Sequence, residues 1–252
     1  SKPKVENGQM VGLTSNLDVS WEKKSGIKDI DSTIQGIVEA YDLSQPQAIV
    51  PQLLRLRQLL KQQETNAFLQ SKLRLLEDLI LRASGMYMSA YIADEIVTAG
   101  DTIPVHLELL NRGDYSISVS NVDYNTTSRG IAASTQTLEP NHLSTIHDTI
   151  WLDHTIAIST PYWLEEAPTS IGMYRVDSIP MRGKPENDAR LFVSMDVHIE
   201  DAVIEVTLPI HYQTVDPSIG EIHLPVVMAP PASVEIADNA ILLINEDSRE
   251  ID

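Results

Sequence analysis

Seven histidines, at positions 106, 142, 147, 154, 198, 211 and 223, are the side chains of this sequence best suited to bind metal or move protons near neutral pH. None of them forms the H-E-x-x-H pattern or another helical zinc spacing. Asp196 and His198 are two apart in a strand-like run and so share a face with Ser194 and Glu200. That face suits either a metal ion or plain solvent, and a solvated strand surface is the expected reading. His147-Asp148 and Asp153-His154 are adjacent pairs. Neighbours on a strand point to opposite faces, so adjacency builds no catalytic couple. No G-x-S-x-G elbow supports a serine nucleophile. Gly172, Gly183 and Gly220 stand alone and read as turn residues rather than a phosphate loop. Glu165-Glu166 would serve glycoside hydrolysis only at a separation that the sequence does not give. Pro161-Tyr162-Trp163-Leu164 joins two large aromatics in a chain with few of them. They either plug a junction between β units, the expected role, or offer ring faces on which the C–H side of a sugar packs. In the second case Tyr174 and Arg175 are candidates to line the same place.

The frame that must hold these residues has 252 residues, 42 % of them hydrophobic, which is enough for a packed core. With only two Phe and three Trp, that core must be built mainly from Ile, Leu and Val. Thirty-six acidic residues against 18 basic ones give a net charge of −18. A phosphate backbone or an anionic membrane would be repelled, so nucleic acid is not an expected partner. The absence of cysteine excludes disulfides, thiol catalysis and cysteine-ligated zinc. No run of about 18 apolar residues offers a membrane span. Ser1-Lys2-Pro3-Lys4 carries no initiator Met and no apolar signal core, and Ala240-Ile241-Leu242-Leu243-Ile244 reads as a strand beginning. Both ends are therefore expected to be cut from a longer protein.

Helical periodicity begins near residue 28. Ile30, Ile34, Ile37, Val38 and Tyr41 form one stripe, with Asp29 or Asp31 placed to cap it. A second helix over about 47–62 carries Ile49, Leu53, Leu56 and Leu60, with Pro51 in its first turn and Arg55, Arg57 and Lys61 in solvent. A third over about 65–84 carries Leu69, Leu73, Leu76 and Ile80 and stops at Gly85. After Gly85 the period changes to two. Strands are expected at Met88–Ile92, Ile103–Leu109, from Ile117, at 143–152, Leu191–Ile199, Ile204–Ile210, Ile222–Met228 and Val234–Ile236, with turn signals between them. Residues 125–137 read as a long loop or a weak edge strand, and residues 160–190 read as a loop. The expected fold is α+β: a small bundle of about three helices followed by one or two antiparallel Ig-like β-sandwich units. The expected divisions are a linker at 1–27 with a possible strand around Leu17-Val19-Trp21, helices at 28–85, β units at 86–155 and 156–236, and the start of a further strand or domain at 237–252.

Several motifs in this frame are familiar. P-Y-W-L-x-E (161–166), G-M-Y-R-V (172–176), G-x-P-E-N (183–187), H-Y-Q-T-V-D-P-x-x-G-E (211–221), L-P-V-V-M-A-P-P (224–231) and G-D-T-I-P-V with N-R-G (100–113) together resemble the C-terminal accessory region of large bacterial LmbE/PIG-L-type deacetylases. The L-D-V-S-W stretch (17–21) and the helices fit the region downstream of the enzyme domain in that family. The resemblance implies a parent hydrolase whose A-H-P-D-D-E-type motif holds zinc and activates water against an N-acetylglucosamine-type substrate. No His-Pro-Asp occurs in this chain, so no catalytic residue of the family carries over. The implied fragment is non-catalytic and without a cofactor of its own, zinc belonging to the catalytic domain. Its implied partner is that upstream domain, which it docks on or positions. The alternative is a carbohydrate-binding module using Tyr162 and Trp163, with glycans as partners. Ig-like modules on a glycan-active protein imply export to the periplasm or cell surface.

Overall fold

The computed structural model describes residues 4–6, 9–11, 21, 28–63, 66–126, 135–168, 170–178 and 181–234. Leu17 and Val19 of the expected first strand, Ile236 and the whole 237–252 stretch lie outside the described residues.

Residues Lys4–Glu6 (β1) and Gln9–Val11 (β2) pair as a short antiparallel hairpin within the stretch expected to be an irregular linker. Three α-helices follow among the described residues. Helix α1 (Lys28–Ala40) has Asp29 and Asp31 in its first turn, where the helix dipole favours negative charge. Asp31 accepts from the Trp21 backbone N–H at 3.1 Å. Of the expected stripe, Ile30 and Ile37 are buried and Ile34 is half-buried, whereas Val38 and Tyr41 are exposed. A 3₁₀ turn at Pro46–Ile49 leads into α2 (Val50–Lys61), with Pro51 in its first turn, where a missing N–H costs nothing. Helix α3 (Ala67–Ala83) is capped by Asn66, whose Oδ1 accepts from the Leu69 N–H at 2.9 Å.

Arg57 differs from the solvated role expected of it. It is buried, donating from Nε to Glu77 Oε1 at 2.7 Å and from Nη2 to the Val203 carbonyl at 2.5 Å. Helical periodicity alone assigns Arg57 to the polar side of α2, but a β-strand and a carboxylate from α3 meet it there. Tyr115 Oη donates to the Gln47 carbonyl at 3.0 Å and ties the helices to the β region a second time.

The chain leaves α3 through Gly85, at φ +83°, a left-handed conformation that glycine adopts without strain. A Cβ at Gly113 would lie 2.1 Å from the Ser84 carbonyl oxygen, so two backbones touch here. Asn111 fixes that turn, accepting from the Gly113 N–H at 3.0 Å and donating to the Tyr115 carbonyl at 2.9 Å. The N-R-G motif therefore has a packing reason.

The remaining strands are β3 (Met86–Ile92), β4 (Ile96–Thr98), β5 (Thr102–Asn111), β6 (Ile117–Tyr124), β7 (Gln136–Leu138), β8 (Ser144–Trp151), β9 (Phe192–Ile199), β10 (Ala202–Asp216), β11 (Gly220–Pro225) and β12 (Val227–Ala229). The main sheet runs β7-β6-β9-β10-β3-β5-β8, with β11 also on β10. Its pairings are antiparallel except β10 with β3. Strand β10 spans both halves: Ala202–Pro209 pair with β9, and His211–Asp216 pair with β11. Pro140, just after the edge strand β7, bridges Asn111 at the end of β5, the strand next to the opposite edge, so the sheet is nearly closed. Strands from both expected β spans, 86–155 and 156–236, thus hydrogen-bond within one sheet. The stretch expected as a single strand at Ile222–Met228 is two strands, because β11 follows β10 while β12 leaves to pair in parallel with β4. Val234 lies outside any strand.

Alternation decides the interior. Ile103, Val105, Leu107 and Leu109 of β5 and Val193, Met195, Val197 and Ile199 of β9 are all buried. They form one continuous core with Leu53, Leu56, Leu76 and Ile80 from the helices. Among the described residues the fold is α+β, three helices against a mostly antiparallel, nearly closed sheet.

Candidate functional site

The 160–190 segment carries the candidate ligand residues, and Asn187 organises it. Asn187 accepts from the Tyr162 N–H at 2.9 Å and donates to the Thr160 carbonyl at 2.7 Å, pinning both ends of the loop together. Tyr162–Leu164 form a 3₁₀ turn, and Tyr162 Oη donates to the Lys184 carbonyl at 2.9 Å. The Trp163 ring meets the Tyr162 ring edge-on at 4.9 Å between centroids. This leaves Trp163 37 % exposed, a held aromatic with an open surface.

The fold brings Tyr162, Trp163, Tyr174 and Arg175 together in one open groove of 630 Å³, with Asp177 and Arg182 on its walls. Arg175 Nε donates to Asp177 Oδ1 at 2.9 Å and lies 3.7 Å from Glu166. The bond to Asp177 raises the Arg175 pKa, and the guanidinium lowers that of Asp177 in turn. Both groups are therefore charged at neutral pH, one a planar donor and the other a planar acceptor. Trp163 also borders a second groove of 680 Å³, lined largely by apolar groups including Pro161, Leu191 and Leu224, with His211 and His223 on its wall. Glu165 and Glu166 line a smaller cavity of 470 Å³ beside Arg190.

The other candidates have local partners. Asp196 accepts from Asn121 Nδ2 at 2.7 Å, and His198 Nε2 shares a hydrogen bond with Ser120 Oγ at 2.8 Å. Asp148 accepts from the Thr149 N–H at 2.7 Å, while His154 packs edge-on against Trp151 at 5.5 Å. Among the described residues no group of three or more His, Asp or Glu side chains is arranged to hold a metal ion.

Strand register produces a feature that no motif announces. His211 of β10 stands beside Tyr91 of β3, Tyr91 beside His106 of β5, and His106 beside His147 of β8. His223 of β11 stacks on His211 at 4.2 Å between centroids. Four imidazoles and a phenol thus cross five strands on the outer face of the sheet. Tyr91 stacks on His106 at 5.1 Å and donates from Oη to Glu108 at 3.0 Å. Burial, then the bond to Glu108, raises the Tyr91 pKa, and burial followed by the neighbouring His223 lowers that of His211. The only sequence signal for this row is that each of its members falls on an outward strand position.

No family model and no curated protein matches this chain. Among solved structures, the sporulation control protein Spo0M from Bacillus subtilis is 9 % identical, with 50 % of this chain and 49 % of that one covered and a TM-score of 0.22. The alkylpurine DNA glycosylase AlkC from Pseudomonas fluorescens, bound to DNA containing an abasic site analog, is 10 % identical, with 68 % and 48 % covered and a TM-score of 0.23. The chain thus spans about half the length of each. Overlaps of this size carry no functional argument, and none of these comparisons links the chain to LmbE/PIG-L-type deacetylases.

Proposed function

We propose that this chain is a non-catalytic accessory module of a larger protein and that it binds carbohydrate in the groove beside Trp163. The convergence of Tyr162, Trp163, Tyr174 and Arg175 on one groove carries this reading. A pyranose presents an apolar C–H face to an indole and a rim of hydroxyls to charged planar groups, here Arg175 and Asp177. The Tyr162 contacts and the Asn187 staple hold the indole in place before ligand arrives, which lowers the ordering cost of binding. In this proposal the β part is an Ig-like carrier, and the neighbouring domain is the exported, zinc-dependent LmbE/PIG-L-type deacetylase that the sequence motifs resemble. Titration calorimetry with N-acetylglucosamine oligomers tests the groove. Trp163→Ala is expected to weaken binding at least tenfold while leaving the melting temperature little changed. Absence of binding, or equal binding by the variant, overturns the reading.

A second reading, docking through the helices, rests on α3, where Leu75 and Leu79 are exposed at i, i+4 spacing and so form a strip. Leu75→Glu with Leu79→Glu is expected to abolish association with a separately expressed catalytic domain. Unchanged association would remove this reading and leave the carbohydrate proposal standing.

A further inference from the structure

We propose that His106 and His147 form a two-imidazole site for a divalent transition-metal ion of tetragonal preference, Cu²⁺ or Ni²⁺, on the outer face of the sheet. The two residues are directly opposed on β5 and β8, and their Nδ1 atoms lie 2.8 Å apart. Their rings meet edge-on, at 88°. Two nitrogens each about 2.0 Å from one ion stand about 2.8 Å apart at a right angle and about 3.3 Å apart at a tetrahedral angle. The observed spacing is that of the hydrogen bond between the two rings, and it also matches adjacent corners of a square-planar or octahedral ion, so the pair takes such an ion with less movement than tetrahedral zinc.

Without an ion, one ring donates an N–H to the other. On metal binding the donating ring keeps its proton count, with the proton moving through solvent from Nδ1 to Nε2, and both Nδ1 lone pairs face the ion. Tyr91 stacks on His106, and Glu108 holds Tyr91 by its hydroxyl, so the ligating ring is positioned from behind. His147 is exposed and opens the site to solvent, which supplies the remaining ligands. The neighbouring pair is differently arranged: His211 and His223 are stacked at 19°, so their in-plane lone pairs run side by side and do not converge on one ion.

The test is titration of the full chain with Cu²⁺, followed by calorimetry and electron paramagnetic resonance. The expected result is a tetragonal spectrum with nitrogen splitting from two imidazoles. His147→Gln should weaken binding at least tenfold, and the double variant His211→Gln with His223→Gln less than twofold. His147 is exposed, so its variant is expected to fold, which melting would check; His106→Gln supplies the second measurement. Wild-type affinity in a folded His147→Gln protein, or loss of binding only in the His211/His223 variant, would overturn the proposal.

Discussion

The two faces of β5 were built by different kinds of information. Inward, Ile103, Val105, Leu107 and Leu109 are buried without interruption, as their alternation requires. Outward, His106 and Glu108 owe their neighbours to the register of β3 and β8, strands that the sequence does not align with β5. A hydrophobic face needs only the right residue class at each position, whereas a polar constellation needs particular partners at particular places.

The largest effect expected from breaking this contrast is on the inner face. Leu107→Ala should destabilise the fold by about 2–5 kcal/mol in chemical denaturation, since the side chain is fully buried and its removal leaves a cavity. The outward neighbour substitution His106→Gln should cost less than about 1 kcal/mol, because no core volume is lost. An equal cost at both positions would show that the outer row is structural too.

Arg57 places a charge on the buried side. Arg57→Ala should cost about 2 kcal/mol, since it leaves the Val203 carbonyl without this donor in a poorly solvated place and leaves Glu77 only the more distant Lys61 ammonium at 3.9 Å. Arg57→Lys should recover part of this, as an ammonium reaches only some of the same acceptors. A loss within about 0.5 kcal/mol would mean that the contact network contributes little.

The smallest effect is on acid stability. The His211 pKa is lowered in the fold, so the unfolded chain binds its proton first. Stability from this group is present above the ordinary histidine value of about 6.5 and is lost as pH falls from there through the folded value. His211→Gln should flatten that part of the stability profile, measured by denaturant midpoints between about pH 7 and 5. A steeper fall in the variant would reverse the assigned sign.

Much of the frame is legible in the sequence. The helices fall close to the expected spans, because apolar residues at helical spacing, with Gly85 as the stop of the third, leave little choice. Tyr162, Trp163, Tyr174 and Arg175 stand out by type and by nearness in sequence, and the loop does place them in one groove. Asn187 gives no such sign, since a side chain that staples two loop segments 25 residues apart has no local signature. Arg57 reads as solvated because its partners come from α3 and β10, neither of which the helical pattern of α2 can foresee.

Local periodicity and composition were enough for the three described helices, for most of the long strands and their inward sides, and for the shortage of basic charge, whereas the three-residue strands β1, β2 and β4 are too short to show an alternation. The tertiary structure alone decided that β10 would serve both halves of the sheet, that Arg57 would be enclosed, and that four histidines would stand in a row. Those outcomes depend on which strands become neighbours and in what register, and pairing between distant segments is a property of the whole packed chain.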